Sequence, residues 1–214
     1  MKFLKEVPVI LIVAIPFIYL AYIWNTLPEQ VPLHWNIKGE IDRYGSKYEL
    51  WLIPILLPLL IYIIFLIVPS IDPKKNIHKM GNKYQNLKVL MTLFMSALAI
   101  FIIYYAKNQT IANPNYIVLI MGILFIIIGN YFKTLKANYF IGIKTPWTLE
   151  NETVWKKTHN LAGKLWFSGG FLIMILSLVL NKELNFKIFA AITIIISIIP
   201  ILYSYFIYKN IKQK

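Results

Sequence analysis

The chain reads as an all-α integral membrane protein with six transmembrane helices, and three observations carry that reading. It is 58% hydrophobic and only 14% charged over 214 residues, with a mean hydropathy of +0.63, where a soluble domain would carry nearer a quarter charged residues. Its apolar residues fall into six charge-free stretches at 7–28, 50–71, 89–106, 108–132, 165–181 and 188–208, each near the roughly 17–25 residues that cross a hydrocarbon core as a helix. Lys and Arg, finally, are distributed unequally between the two sets of connections.

With the N-terminus inside, sixteen of the 22 basic residues fall in inner segments, Lys2 and Lys214 among them. Only Lys38, Arg43, Lys47, Lys107, Lys182 and Lys187 fall outside. That asymmetry predicts both termini in the cytoplasm. It also accounts for the formal charge of +13 without nucleic acid as a direct partner. The chain contains no cysteine, which excludes disulfides, thiol nucleophiles and thiolate metal sites.

The first stretch follows Lys2 and Lys5 and ends in Trp24-Asn25-Thr26-Leu27-Pro28, without a small-residue cleavage site, so it reads as an anchor. Beyond it, Leu27 to Glu49 forms an outer loop punctuated by Pro28, Pro32, Gly39 and Gly45. Residues 31–36 read as a short strand turning at Lys38-Gly39, a small β-hairpin. His34, Glu29, Glu40 and Asp42 invite a metal reading. One histidine without a second is poor ligand spacing, however, and neither metal nor cofactor is expected. The loop reads as a partner-recognition surface, with His34, Trp35, Asn36, Gly39 and Asp42 as its candidates and Trp35 at the headgroup level.

The second stretch carries Pro54 and Pro58, four apart and on one face; each removes a backbone donor. The 70–88 connection holds five lysines and His78, chemistry suited to anionic headgroups. Small residues give packing seams: Thr92, Ser96 and Ala99 in the third stretch, Gly122 and Gly129 in the fourth, Ser168-Gly169-Gly170 and Ser177 in the fifth, and Ser204 among those of the sixth. The stretches hold no Asp, Glu, Lys, Arg or His, which argues against proton- or ion-coupled transport.

Between the fourth and fifth stretches lies the densest turn chemistry of the chain, residues 138–164. Thr145-Pro146 is a helix-entry or turn dipeptide. Asn151 or Thr148 caps a helix with Glu150 and Glu152 at its positive end. Val154, Trp155, Thr158, Ala162 and Leu165 then share one side, and Lys156, Lys157, Asn160 and Lys164 the other. That pattern predicts a cytoplasmic interfacial helix before the fifth span.

The segments GIKTPWTL and NETVWKKTHNLAGKLW, with LPEQVPLHWNIKGEIDRYGSK from Leu27 to Lys47, resemble the SdpI family of bacterial membrane immunity proteins and its N-terminal domain of unknown function. The family pattern has Arg where this chain has Lys144, so a forked guanidinium is replaced by a point charge. The resemblance implies resistance to a secreted membrane-active peptide toxin. It also implies signalling, in which a transcriptional repressor is held at the membrane. It divides the chain into a two-span unit, 1–70, and a four-span unit, 71–214. The inner motif (Gly142, Lys144, Thr145, Pro146, Trp147, Thr148, Trp155 and His159) then reads as a basic, aromatic platform for a partner or lipid, or as an elbow that orients the fifth span.

Two other classes fit less well. A membrane-surface enzyme would use His34 with Asp42, or His159 with Glu152, as an acid–base couple; neither pair has a nucleophile beside it, and the chain reads as a non-enzyme. A small-molecule or peptide exporter would need a path that the charge-free spans do not indicate.

Overall fold

The computed structural model describes residues 2–36, 38–109 and 113–213; Lys214, counted above among the inner lysines, lies outside them. The described residues contain six helices long and apolar enough to cross a membrane, and one two-stranded sheet. Helix α1 covers Lys2–Ile23 and strands β1 and β2 cover Gln30–Trp35 and Ile41–Ser46. Helices α2 (Lys47–Ile71), α3 (Asn82–Asn108) and α4 (Pro114–Phe132) follow. Next come the short α5 (Pro146–Glu150), then α6 (Glu152–Val179) and α7 (Lys182–Lys212).

Several boundaries differ from those read off the charge-free stretches. The fourth span was expected from Asn108; α3 instead runs through that residue, residues 110–112 of the stretch are not described, and α4 begins at Pro114, a residue suited to the first helical turn. The larger correction concerns the fifth. The interfacial helix expected there is not separate from the span: residues 152–164 form the first turns of a continuous 28-residue α6. Lysines on the exposed side of a helix do not interrupt its backbone, so the run of charge marks where α6 leaves the apolar layer without marking a break.

The side assignment within that segment holds. Val154, Trp155, Thr158 and Ala162 are buried and Leu165 partly so, while Lys156, Lys157, Asn160 and Lys164 are exposed. In α2 Pro54 and Pro58 are buried, and the helix widens to i→i+5 spacing over Ile55–Leu59. Pro58 has no N–H to close a normal turn, and a single wide turn is a common response to a broken ladder.

The chain packs as two compact units, residues 1–67 with 85–114, and residues 68–84 with 115–214. The first contains α1, most of α2, the hairpin and most of α3, so the third span packs with the two before it. Three tertiary contacts tie α3 to α1: the Ser96 hydroxyl donates to Ile12 O at 2.9 Å, Gln85 Nε2 donates to Lys5 O at 3.3 Å, and Lys88 Nζ meets Glu6 Oε1 at 2.5 Å. Thr92, Ser96 and Ala99 are all buried, as their reading as a seam requires.

Lys88 and Glu6 lie just beyond the apolar stretches, and the Tyr62 hydroxyl also donates to Glu6 at 3.2 Å. Sequence segmentation missed this pair because each residue sits within a helix that extends past its charge-free core. At the opposite end of the unit, Leu20, Ile23, Leu27, Val31, Leu50, Ile103 and Ala106 form a closed apolar cluster under the hairpin.

The second unit is built on close helix contacts. A Cβ at Gly170 would lie 2.6 Å from Gly122 O, and one at Gly129 would lie 2.4 Å from the Phe167 nitrogen. The expected glycine seams in the fourth and fifth spans therefore face one another, backbone to backbone. Phe125 completes this core against Ile173 and Ile196, with Trp166 packed beside them. Along α7 most large apolar side chains, Ile194, Ile195, Leu202 and Phe206 among them, point outward, as a lipid-facing helix requires.

Candidate functional site

The hairpin, within the first unit, is an antiparallel pair with irregular register around His34. Its turn is held by Asn36, whose Oδ1 accepts from Lys38 N–H at 2.8 Å and Glu40 N–H at 3.1 Å. Its Nδ2 donates to Glu40 Oε2 at 2.9 Å. Gly39 adopts φ +81°, a left-handed conformation that favours glycine in such a turn. Ser46 then closes the exit, capping the start of α2 in a capping box with Glu49.

The residues expected to recognise a partner separate into two groups. His34 and Asp42 are exposed and bonded to each other, Nδ1 to Oδ1 at 2.6 Å. Asn36 and Gly39 build the turn. Trp35, expected at the headgroup level, packs its ring on the apolar cluster under the hairpin, where burying an aromatic ring gains more than leaving it wet. Its Nε1 is buried without a partner among the described residues. Glu29 pairs with Lys47 at 2.8 Å and Glu40 with Asn36, so the carboxylates around His34 have separate partners. No group of three metal-ligating side chains occurs among the described residues.

The second motif, from Gly142 to His159 within the second unit, is built on a loop that turns at Asn138. That side chain is fully buried; Oδ1 accepts from the Phe140 and Ile141 N–H groups, both at 2.8 Å, while Nδ2 donates to Lys136 O and Ile141 O. Gly142 follows at φ +116°, with the position of a Cβ only 2.4 Å from His159 Nε2. The next N–H, that of Ile143, donates to that same nitrogen at 2.9 Å. His159 Nδ1 lies 2.8 Å from Trp155 O. One nitrogen therefore accepts and the other donates, the pattern of a neutral imidazole with its proton on Nδ1. The ring stacks on Trp155 with centroids 4.0 Å apart, and the indole N–H donates to Leu135 O at 2.8 Å.

Thr145 caps α5 in a reciprocal pattern with Thr148 and Pro146 in the first turn, so the expected helix entry is present. Thr148 also donates to Ile143 O at 2.9 Å. Asn151 caps α6, Oδ1 accepting from Thr153 N–H at 2.8 Å and Val154 N–H at 3.1 Å. The short helix is fastened to α7: the Trp147 indole N–H donates to the Ser204 hydroxyl, its ring meets Tyr205 edge-on, and Tyr208 bonds to Glu150. Glu150, expected with Glu152 at the positive end of the helix, has the Tyr208 hydroxyl as a hydrogen-bond partner.

The structure brings together all eight residues of this motif and buries four of them, Thr145, Thr148, Trp155 and His159. Trp155 and His159 are each 1% exposed and Thr148 is fully buried, so they form the frame of the elbow. Lys144 and Pro146 face outward. The His159–Glu152 couple is not formed, since both ring nitrogens have other partners and Glu152 lies 3.8 Å from Lys156.

Sequence reading did not place Asn138 or Ser204 in the motif, nor Lys74, whose Nζ donates to Leu149 O at 2.8 Å. Asn138 begins the turn-rich stretch and an Asx turn was legible there. Ser204 lies 57 residues from Trp147, and no local spacing reports that.

Helices of spanning length, charged mainly at their ends and faced with outward apolar side chains, define a multi-pass cell-membrane protein. Comparison with known proteins shows which family it is similar to. Residues 133–204 match the model of the SdpI/YfhL protein family, and residues 11–57 match a domain of unknown function, DUF1648. The immunity protein SdpI of Bacillus subtilis (strain 168) is 28% identical over 209 residues, covering 97% of this chain and 98% of that protein. The chain is thus similar to the SdpI family over the segments that carry both motifs. No solved structure matches it.

Proposed function

We propose that this chain is a membrane immunity protein that gives its host resistance to a secreted, membrane-active peptide toxin. The observation that carries the reading is the end-to-end similarity to an immunity protein, with both motif-bearing segments matched by their own family models. In this reading the termini are cytoplasmic, following the lysine asymmetry, and the hairpin meets the toxin outside. His34 and Asp42 are its contact residues, being exposed and mutually oriented on a braced turn. Inside, Lys144 and Pro146 on the outer surface of the elbow present a small platform that holds a cytoplasmic transcriptional repressor. The rest of the motif fixes the platform's shape. The role is one of binding rather than catalysis.

The test is survival of a sensitive bacterium expressing the chain and challenged with a family-type peptide toxin, beside His34→Ala and Lys144→Ala variants at equal membrane levels. Protection by the wild type and its loss in His34→Ala supports a toxin contact on the hairpin. Lys144→Ala is expected to keep protection and lose repressor recruitment. A correctly inserted wild-type chain that gives no protection against such toxins refutes the reading.

A further inference from the structure

Three helix ends of the second unit surround a cleft of about 590 Å³, within the range of about 300–1,000 Å³ typical of ligand sites. Its charged lining consists of Lys79, Lys83, Lys133, Lys136 and Lys156 against a single carboxylate, Glu152. Glu152 lies 3.8 Å from Lys156. Among the described residues Lys83, Lys133 and Lys136 have no carboxylate within ion-pair distance. These lysines come from three segments distant in sequence, so the concentration of positive charge is a product of the fold. Like charges held together at a concave surface repel one another, and a bound anion relieves that repulsion.

A second groove of about 430 Å³ shares Lys133 and Asn160 with this cleft. It continues past Gly129, Asn130, Gly163 and Lys164 to Phe167. Gly129 lies one turn deeper in α4 than Lys133. Phe167 lies seven residues further along α6 than Asn160, about 10 Å at 1.5 Å per residue. The adjoining cavities thus run from a strongly basic mouth to a groove lined by Gly129, Gly163 and Phe167 beside Asn130 and Lys164.

We infer that this composite cleft is a binding site for an anionic glycerophospholipid, with the phosphate held by Lys83, Lys133 and Lys136 and an acyl chain laid along the groove to Phe167. The amphiphilic continuity favours a lipid over a soluble phosphate compound, which would use the mouth alone. The inference is independent of the immunity reading, since neither toxin nor repressor enters it.

The test is calorimetric titration of the full chain in neutral detergent with three probes: dihexanoyl phosphatidylglycerol, dihexanoyl phosphatidylcholine and glycerol 1-phosphate. The phosphatidylglycerol is expected to bind at one saturable site, with the other two at least about tenfold weaker. Replacing Lys83, Lys133 and Lys136 together by Gln is expected to weaken it about a hundredfold, at about fivefold per lysine. Replacing Lys75, Lys157 and Lys209 by Gln, an equal loss of charge elsewhere, is expected to leave affinity within about twofold.

Equal binding of phosphatidylcholine, or an unchanged cleft variant, overturns the site. Glycerol 1-phosphate binding as tightly as the lipid overturns the lipid as occupant and assigns the mouth to soluble phosphates. If the cleft variant does not fold, the wild type titrated at about 50 and 300 mM NaCl decides, because salt screens this attraction. Phosphatidylglycerol affinity that does not change with salt then refutes the proposal.

Discussion

Gly142→Ala probes the elbow at its tightest point. The residue sits at φ +116° and its added Cβ would lie 2.4 Å from His159 Nε2. Holding a non-glycine residue in that backbone region costs about 1–3 kcal/mol. The methyl group must also displace the imidazole, which breaks the 2.9 Å bond from Ile143 N–H and leaves a donor without its partner, for about 1–3 kcal/mol more. The expected destabilisation is therefore about 2–6 kcal/mol, the sum of the two costs. In a His159→Ala background the acceptor is already gone and there is room for the methyl. There Gly142→Ala should cost only the backbone strain, about 1–3 kcal/mol.

Reversible unfolding of the purified protein in mixed micelles, followed by tryptophan fluorescence, gives all four corners of that double-mutant cycle. The predicted coupling is about 1–3 kcal/mol, well above the error for independent sites. Equal cost of Gly142→Ala in both backgrounds would refute the argument that His159 is the acceptor holding this turn. A cost below about 0.5 kcal/mol in the wild-type background would refute the strained geometry itself.

Three further outcomes follow from the same packing. Thr148→Val removes the hydroxyl that joins the cap of α5 to Ile143 O and should cost about 1–2 kcal/mol, whereas Thr148→Ser keeps it and should cost less; the same unfolding measurement separates them. Lys88→Met strands the Glu6 carboxylate and should destabilise by about 3–5 kcal/mol, while the Glu6→Leu/Lys88→Met pair should recover most of that loss, as read by thermal inactivation of both variants. Because the chain has no cysteine, Asp42→Cys and Lys144→Cys report topology directly. A membrane-impermeant maleimide should label position 42 in intact cells and position 144 only after permeabilisation, and the reverse pattern refutes cytoplasmic termini.

Membrane class, the existence of six spans, the hairpin and the helix entry at Thr145-Pro146 were all legible in the sequence. Each rests on short-range physics: a bilayer demands long charge-free helices, and proline, glycine and asparagine act on the backbone within a few residues. Helical spacing likewise assigned Trp155 inward and Lys156 outward, because a single helix fixes which side chains share a face. The two motifs, read as strings, also pointed to the family.

What the sequence left open depends on residues that meet only after the helices pack. Whether α6 begins at residue 152 or breaks before the fifth span is decided by an unbroken hydrogen-bond ladder, on which surface lysines have no bearing. Ser204 becomes the acceptor for Trp147 only because α5 lies against α7, and the third span joins the first two through Ser96 and Lys88. Lysines from 79–83, 133–136 and 156 become one basic cleft for the same reason. Composition and periodicity act along one helix at a time, whereas packing chooses which faces meet, and the shape of each candidate site is set by that choice.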